Sequence, residues 1–172
     1  MVNAEQARAM LAGHGRLRPQ SAEDWAGDFP LPSAVADFYR EVGPVNLTIE
    51  VGGTPVFLPR LSKLWKHQDG YRFVGRKRQR EEAWPEDWLV VGDQGADPLI
   101  FSRSSGEVLL AEHGAGEWEA ERLFPDLNTM AACLAVAGKS TSGERRPALR
   151  DELAGLLGQP TLADRVLSAM GC

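Results

Sequence analysis

The sequence predicts an α+β domain with a mostly antiparallel sheet of about five to six strands, flanking helices and a short helical C-terminal extension. Three observations carry that expectation. Val45, Leu47, Ile49 and Val51 alternate with polar residues, as in a strand with one buried and one solvated face. Three short apolar runs, 88–92, 99–102 and 107–112, are separated first by Asp93, Gly95, Asp97 and Pro98 and then by Ser104, Ser105 and Gly106. Short runs bounded by turn residues read as an antiparallel meander. Val35, Phe38, Tyr39 and Val42 fall at i, i+3, i+4 and i+7, one buried helical stripe.

In chain order, residues 4–12 read as a short helix with Ala7, Met10 and Leu11 on one side. Residues 13–31, rich in Gly, Pro and charge, read as a loop pinned by Trp25 and Phe29. The helix SAVADFYREV starts at Pro32-Ser33 and stops at Gly43-Pro44. Gly52-Gly53 turns the strand at 45–51 into a second, 55–58, to make a hairpin. Residues 60–70 suit a short helix with Leu61, Leu64 and Trp65 inward, and Tyr71 to Val74 a further strand. GRKRQREEA (75–83) is polar throughout, a solvated loop or helix face whose four cations are quickly answered by Glu81 and Glu82. After the meander, Glu117, Glu119 and Glu121 alternate around Trp118, which in an extended chain puts three carboxylates on one face. LNTMAACLAVAG reads as a helix closed by Gly138, with Leu127, Met130, Ala131 and Leu134 buried. The expected organisation is a domain over 1–138, a linker over 139–147 and a two-helix extension over 148–172. The extension carries the stripes Leu149, Leu153, Leu156, Leu157 and Leu162, Val166, Leu167, Met170.

The chain has 172 residues, room for one sizeable core. Its net charge of −5 disfavours nucleic acid as the main ligand, since that affinity depends on clustered Lys and Arg. Cys133 and Cys172 give neither a disulfide framework nor metal-ligand spacing. With no signal-peptide core at the N-terminus and no run that could span a bilayer, the expectation is a cytoplasmic protein with reduced thiols. No GxSxG, GxxxxGK[ST], HExxH or paired-Cys motif occurs, so no catalytic residue, cofactor or metal is assigned. Asp93, Asp97 and His113 are the one set that could serve a metal-dependent hydrolase, but Asp93 sits in a GDQGADP turn where Asp is favoured for its backbone hydrogen bonds. Charge is the sharper signal. From Trp84 to Asp126 ten acids stand against two bases, a local net of −8. Such a stretch fits either solubility alone or a strongly basic protein partner. Trp84 and Trp118, flanked by acids, have the amphipathic character of interface anchors.

LPSAVADFYREVG, then a hairpin, then LSKLW and GYRF, then WPEDWLVVGDQGADPLIFSRSSGEVLLAEHGAGEW together resemble the SUKH superfamily, the Smi/Knr-type domains. The resemblance covers roughly 25–137 and rests most on the order of Trp88, Gly92-Asp93, Gly95, Asp97-Pro98, Gly106, His113-Gly114 and Trp118. The tail after Lys139 has no counterpart in the family pattern. The resemblance implies an α+β fold and, in bacteria, immunity proteins that bind and neutralise toxin domains, often nucleases. In fungi it implies regulatory scaffolds of cell-wall signalling. Neither role needs catalytic residues. The expectation is therefore a non-enzymatic protein-binding module, an immunity protein blocking a basic toxin domain. Its contact surface is placed at Trp84, Asp93, Asp97, Glu112, Glu117, Trp118 and Glu119. A regulatory scaffold with a cellular partner, and the hydrolase built on Asp93, Asp97 and His113, stand as the alternatives.

Overall fold

The computed structural model describes residues 1–139 and 146–172, so most of the stretch expected as a linker, 139–147, lies outside the described residues. The chain opens with α1 (Ala4–Leu11), started by a reciprocal cap in which Gln6 N–H donates to Asn3 Oδ1 and Asn3 N–H donates to Gln6 Oε1. The following loop carries one 3-10 turn (Ala22–Asp24), and its Trp25 and Phe29 pack against the main core. α2 (Ser33–Glu41) buries Val35, Phe38 and Tyr39, the predicted stripe. The hairpin β1 (Leu47–Val51) and β2 (Thr54–Leu58) pairs from Leu47↔Leu58 to Val51↔Thr54. Next come α3 (Leu61–Leu64), a 3-10 turn (Lys66–Gln68) and a two-stranded ribbon of β3 (Phe73–Val74) and β4 (Gln79–Arg80). β5 (Trp88–Gln94), β6 (Asp97–Ser102), β7 (Val108–Ala111) and β8 (Ala120–Phe124) follow. The chain ends with α4 (Leu127–Ala137), α5 (Arg146–Leu157) and α6 (Pro160–Ala169). The main sheet is antiparallel and six-stranded, in the order β1-β2-β5-β6-β7-β8. The fold is α+β, as the hairpin and meander patterns require.

The sheet is covered on both faces. On one side Leu89, Val91, Leu99, Phe101 and Leu123 join the helices in the main core. On the other, Val90, Ile100 and Ala111 lie under Tyr71 and Trp84. This is why 88–92 and 99–102 read as continuous apolar runs rather than as alternations. The cover is tied down by Gln68, which is fully buried. Its side-chain Nε2–H donates to Val90 O and Leu64 O, both at 2.9 Å, and its Oε1 accepts from Val90 N–H at 3.0 Å. β2 meets β5 only at Val56↔Gln94 and Phe57↔Asp93, so the Gln68 amide serves as the missing strand partner for Val90. Gly92 allows the close approach of β2: a Cβ there would stand 2.6 Å from Phe57 O. Buried Arg72 adds a second tie, donating from Nη2 to Trp88 O at 2.7 Å and Glu86 O at 3.0 Å, with its guanidinium 5.3 Å from the Phe29 ring centre.

Three elements differ from expectation. The polar stretch at 75–83 is not wholly loop, because its Gln79–Arg80 pairs with Phe73–Val74 to form the ribbon. α4 was expected to bury one face, yet residues 129–137 are all buried, because α1, α2, α5, β1 and β8 surround it. Its run of alanines lets those neighbours approach closely. The two C-terminal helices are not an appendage: Leu149, Leu153, Leu157, Leu162, Val166, Leu167 and Met170 belong to the main core. Gln94 Nε2–H donates to Met170 O at 3.2 Å, and the hairpin turn at Gly52 presses on the chain end. Gly52 has φ +59, and a Cβ there would lie 2.3 Å from Met170 O, so both conformation and space demand glycine.

Two stability measurements follow from these ties. Gln68→Leu leaves the Val90 N–H and C=O unpaired and buried, a loss of about 1–3 kcal/mol for each group. Urea unfolding should show it, and an unchanged midpoint would mean that Val90 does not depend on Gln68. Asp87 is the second case. Its Oδ2 accepts from Ser102 Oγ at 2.6 Å and Ser104 Oγ at 2.9 Å. Burial alone raises this carboxyl, but the two serines and nearby Arg103 outweigh it and hold it below its ordinary value. A carboxyl depressed in the folded state stabilises above its unfolded pKa of about 3.9, and that contribution disappears as pH falls through the lower folded value. Asp87→Asn should therefore destabilise the protein at neutral pH and reduce its loss of stability in acid. A wild-type–variant difference that stays constant down to low pH would contradict this.

Candidate functional site: an acidic groove beside the last strand

The β7–β8 connection, the start of β6 and the end of α6 enclose an open groove of about 810 Å³. Leu110, Ala111 and Ala120 line it from the sheet, and Ser168 and Ala169 from α6. Five carboxylates line it too: Asp97, Glu112, Glu117, Glu119 and Glu121. Among the described residues no lysine or arginine does; Arg165 touches Glu121 at 3.4 Å, with both side chains about half exposed.

Strand geometry brings these acids together. The ladders pair Leu99 with Leu110 and Ala111 with Ala120. Continued outward, those registers set Asp97 beside Glu112 and Glu112 beside Glu119. Asp97 Oδ1 accepts the His113 backbone N–H at 2.8 Å, which fixes one of its oxygens at this spot. The extended chain then alternates: Glu119 and Glu121 face the groove, while Trp118 and Ala120 pack into the aromatic layer on the opposite face. Regular pairing begins only at Ala120, and Glu117 reaches the groove from a bend before it.

Of the seven residues expected at the contact surface, Asp97, Glu112, Glu117 and Glu119 share this groove. The other three lie elsewhere. Trp84 is 2% exposed and is a core residue, not a surface anchor. Its ring meets Trp118 at 4.9 Å and Trp88 at 5.4 Å edge-on, and its Nε1–H donates to Trp88 O at 3.3 Å. The reason is the two-sided sheet: β5 and β6 need an apolar cover, and the first tryptophan after the polar ribbon supplies it. Trp118 is half-buried in the same layer. Asp93 faces His67, with Nε2 2.7 Å from Oδ2 but without the geometry of a hydrogen bond.

The set Asp93, Asp97 and His113 therefore does not assemble. The His113 ring lies against Tyr71 and Trp118, at 6.0 and 5.8 Å between ring centres. Among the described residues no three His, Cys, Asp or Glu side chains come together in a metal-holding group. The Tyr71 hydroxyl donates to Ala96 O at 3.0 Å, and burial, with Asp93 and Asp97 nearby, raises it above its ordinary range. Burial, with a smaller effect of Asp126, pushes the Cys133 thiol up to about 12, so little reactive thiolate exists there. Sequence reading left Glu121 out of the contact set although its alternate spacing marks it. Ser168 and Ala169 carried no local signal, because tertiary packing of α6 brings them there.

Comparison with family models, curated proteins and solved structures finds no match for this chain. Among the described residues no helix is long and apolar enough to cross a membrane.

Cross-strand side-chain pairs are worth about 0.2–1 kcal/mol when favourable, and like charges directly opposite each other destabilise a sheet. Glu112→Gln should therefore raise stability by a few tenths of a kcal/mol or more, most clearly at low salt. A destabilised variant would make Glu112 a structural residue.

Proposed function

We propose that this chain is a non-enzymatic protein-binding module whose acidic groove receives a basic segment of its partner. In the full form of the proposal it is a cytoplasmic immunity protein that neutralises a cognate toxin domain by direct contact. The observation that carries the binding part is the groove itself, in which five carboxylates and no cation line one cavity among the described residues. Carboxylates placed side by side, with only Glu121 of the five in contact with a cation among the described residues, weaken the fold and favour a strongly cationic occupant. Such a field speeds encounter with a basic surface and rejects acidic competitors. Leu110 and Ala169 give apolar contact for the stems of lysine and arginine, whose charged heads then reach the carboxylates. The likeness of residues 25–137 to SUKH domains supports the toxin-neutralising part of the proposal.

The test is capture of partners from the native cell by the wild-type chain and by the triple variant Glu112→Gln, Glu117→Gln, Glu119→Gln. The expected result is one dominant basic protein, held less well at high salt, whose association with the variant slows about tenfold or more. Equal capture by the variant would sink the groove as the binding surface. A basic partner without toxin activity would keep the groove and replace the immunity role with a scaffolding one.

A further inference from the structure

The main sheet has two edges, and they are treated differently. Beside β1 the chain covers its own approach: Val45 N–H donates to Arg16 O at 3.1 Å, Arg18 N–H donates to Gly43 O at 2.8 Å, and Leu17 bridges Pro44. Gly15 lies so near β1 that a Cβ on it would stand 3.2 Å from Leu47 Cγ. β8 has no such cover among the described residues. Among the described residues, 115–122 make no backbone hydrogen bond outside the β7–β8 ladder. In an edge strand alternate residues turn N–H and C=O outward, a template for another chain. Only the first part of β8 is regular. Its pairing slips between Val108 and Leu109, and both Leu123 and Phe124 are buried, so a bulge closes the far half. The open stretch is therefore 118–122, long enough for a short added strand.

We infer that the partner segment enters the groove as a strand added to the free edge of β8, with lysine or arginine at alternate positions. This rests on the reading of the acidic groove as a protein-binding site and specifies how that site is used. Same-face residues along a strand recur about every 6.8 Å, the spacing at which Glu119 and Glu121 meet the groove. A strand whose alternate side chains are cationic matches that spacing, while its main chain satisfies the outward backbone groups of 118–122. Strand addition draws affinity from the main chain and specificity from alternate side chains. A second copy of this chain is a poor occupant of the same edge, because its own Glu119 and Glu121 would meet identical charges. The acidic row thus discourages self-association at an exposed edge while leaving it open to a basic strand.

The test uses the full chain and synthetic peptides of about ten residues, a length spanning a typical strand, with lysine alternating with valine. One peptide is unmodified, one is N-methylated at the lysine nitrogens and one at the valine nitrogens. All three carry the same charges. With lysines facing the groove, only one lateral edge of the peptide meets β8. One methylated peptide should therefore bind about tenfold or more weaker than the parent, from the loss of two or three main-chain hydrogen bonds, and the other should keep its affinity. Equal binding by all three overturns strand addition and leaves the groove as a charge-only site. No binding by the parent peptide at low salt overturns strand addition and the groove's affinity for basic segments together.

Discussion

The fully buried amide of Gln68, bonded both ways to Val90, is the contact on which the rest of the structure depends. It replaces a strand partner where β2 has already left β5. It thereby attaches the segment from α3 to the ribbon across the outer face of the sheet. With that segment in place, Tyr71 and Trp84 can cover Val90, Ile100 and Ala111. Without it β5 and β6, apolar on both sides, would leave one face in water. Arg72, bonded to Glu86 O and Trp88 O, and Asp87, bonded to Ser102 and Ser104, extend the tie along the same side.

Because the second face is closed, the alternation of side chains before β8 becomes decisive. Trp118 is drawn into the aromatic layer, and Glu117 and Glu119 on either side of it line the groove. The groove lies where the last residues of α6, Ser168 and Ala169, meet the ends of β6, β7 and β8, and five of the residues that line it are acids. A fold selected for stability alone gains nothing from Asp97, Glu112 and Glu119 in one row. The proposed binding of a basic partner gives that row a purpose.

Much of the fold was legible in the sequence where one local period sufficed. The α2 stripe, the β1–β2 hairpin, the meander and the alternation of Glu117, Glu119 and Glu121 all follow from neighbours a few residues apart. What escaped depends on partners far along the chain. Val136 and Ala137 fall outside the single buried face expected of α4, because nothing local reveals that α1, α5 and the sheet enclose it. Trp84 reads as an interface anchor from its acidic flanks, and only the two-sided burial of β5 explains why it is core. Gln68 sits in a polar stretch, KHQDG, and nothing in that stretch announces a clamp on a strand 22 residues away. Likewise the C-terminal stripes read as an extension, until Met170 is seen against Gln94 and Gly52.

The most direct measurement is an amide hydrogen-exchange map of this chain, free and bound to its captured partner. The proposed role predicts slowed exchange confined to the start of β6, residues 110–122 and the end of α6. Protection centred instead on the β3–β4 ribbon or on α1 and α5, with 110–122 unchanged, would contradict it.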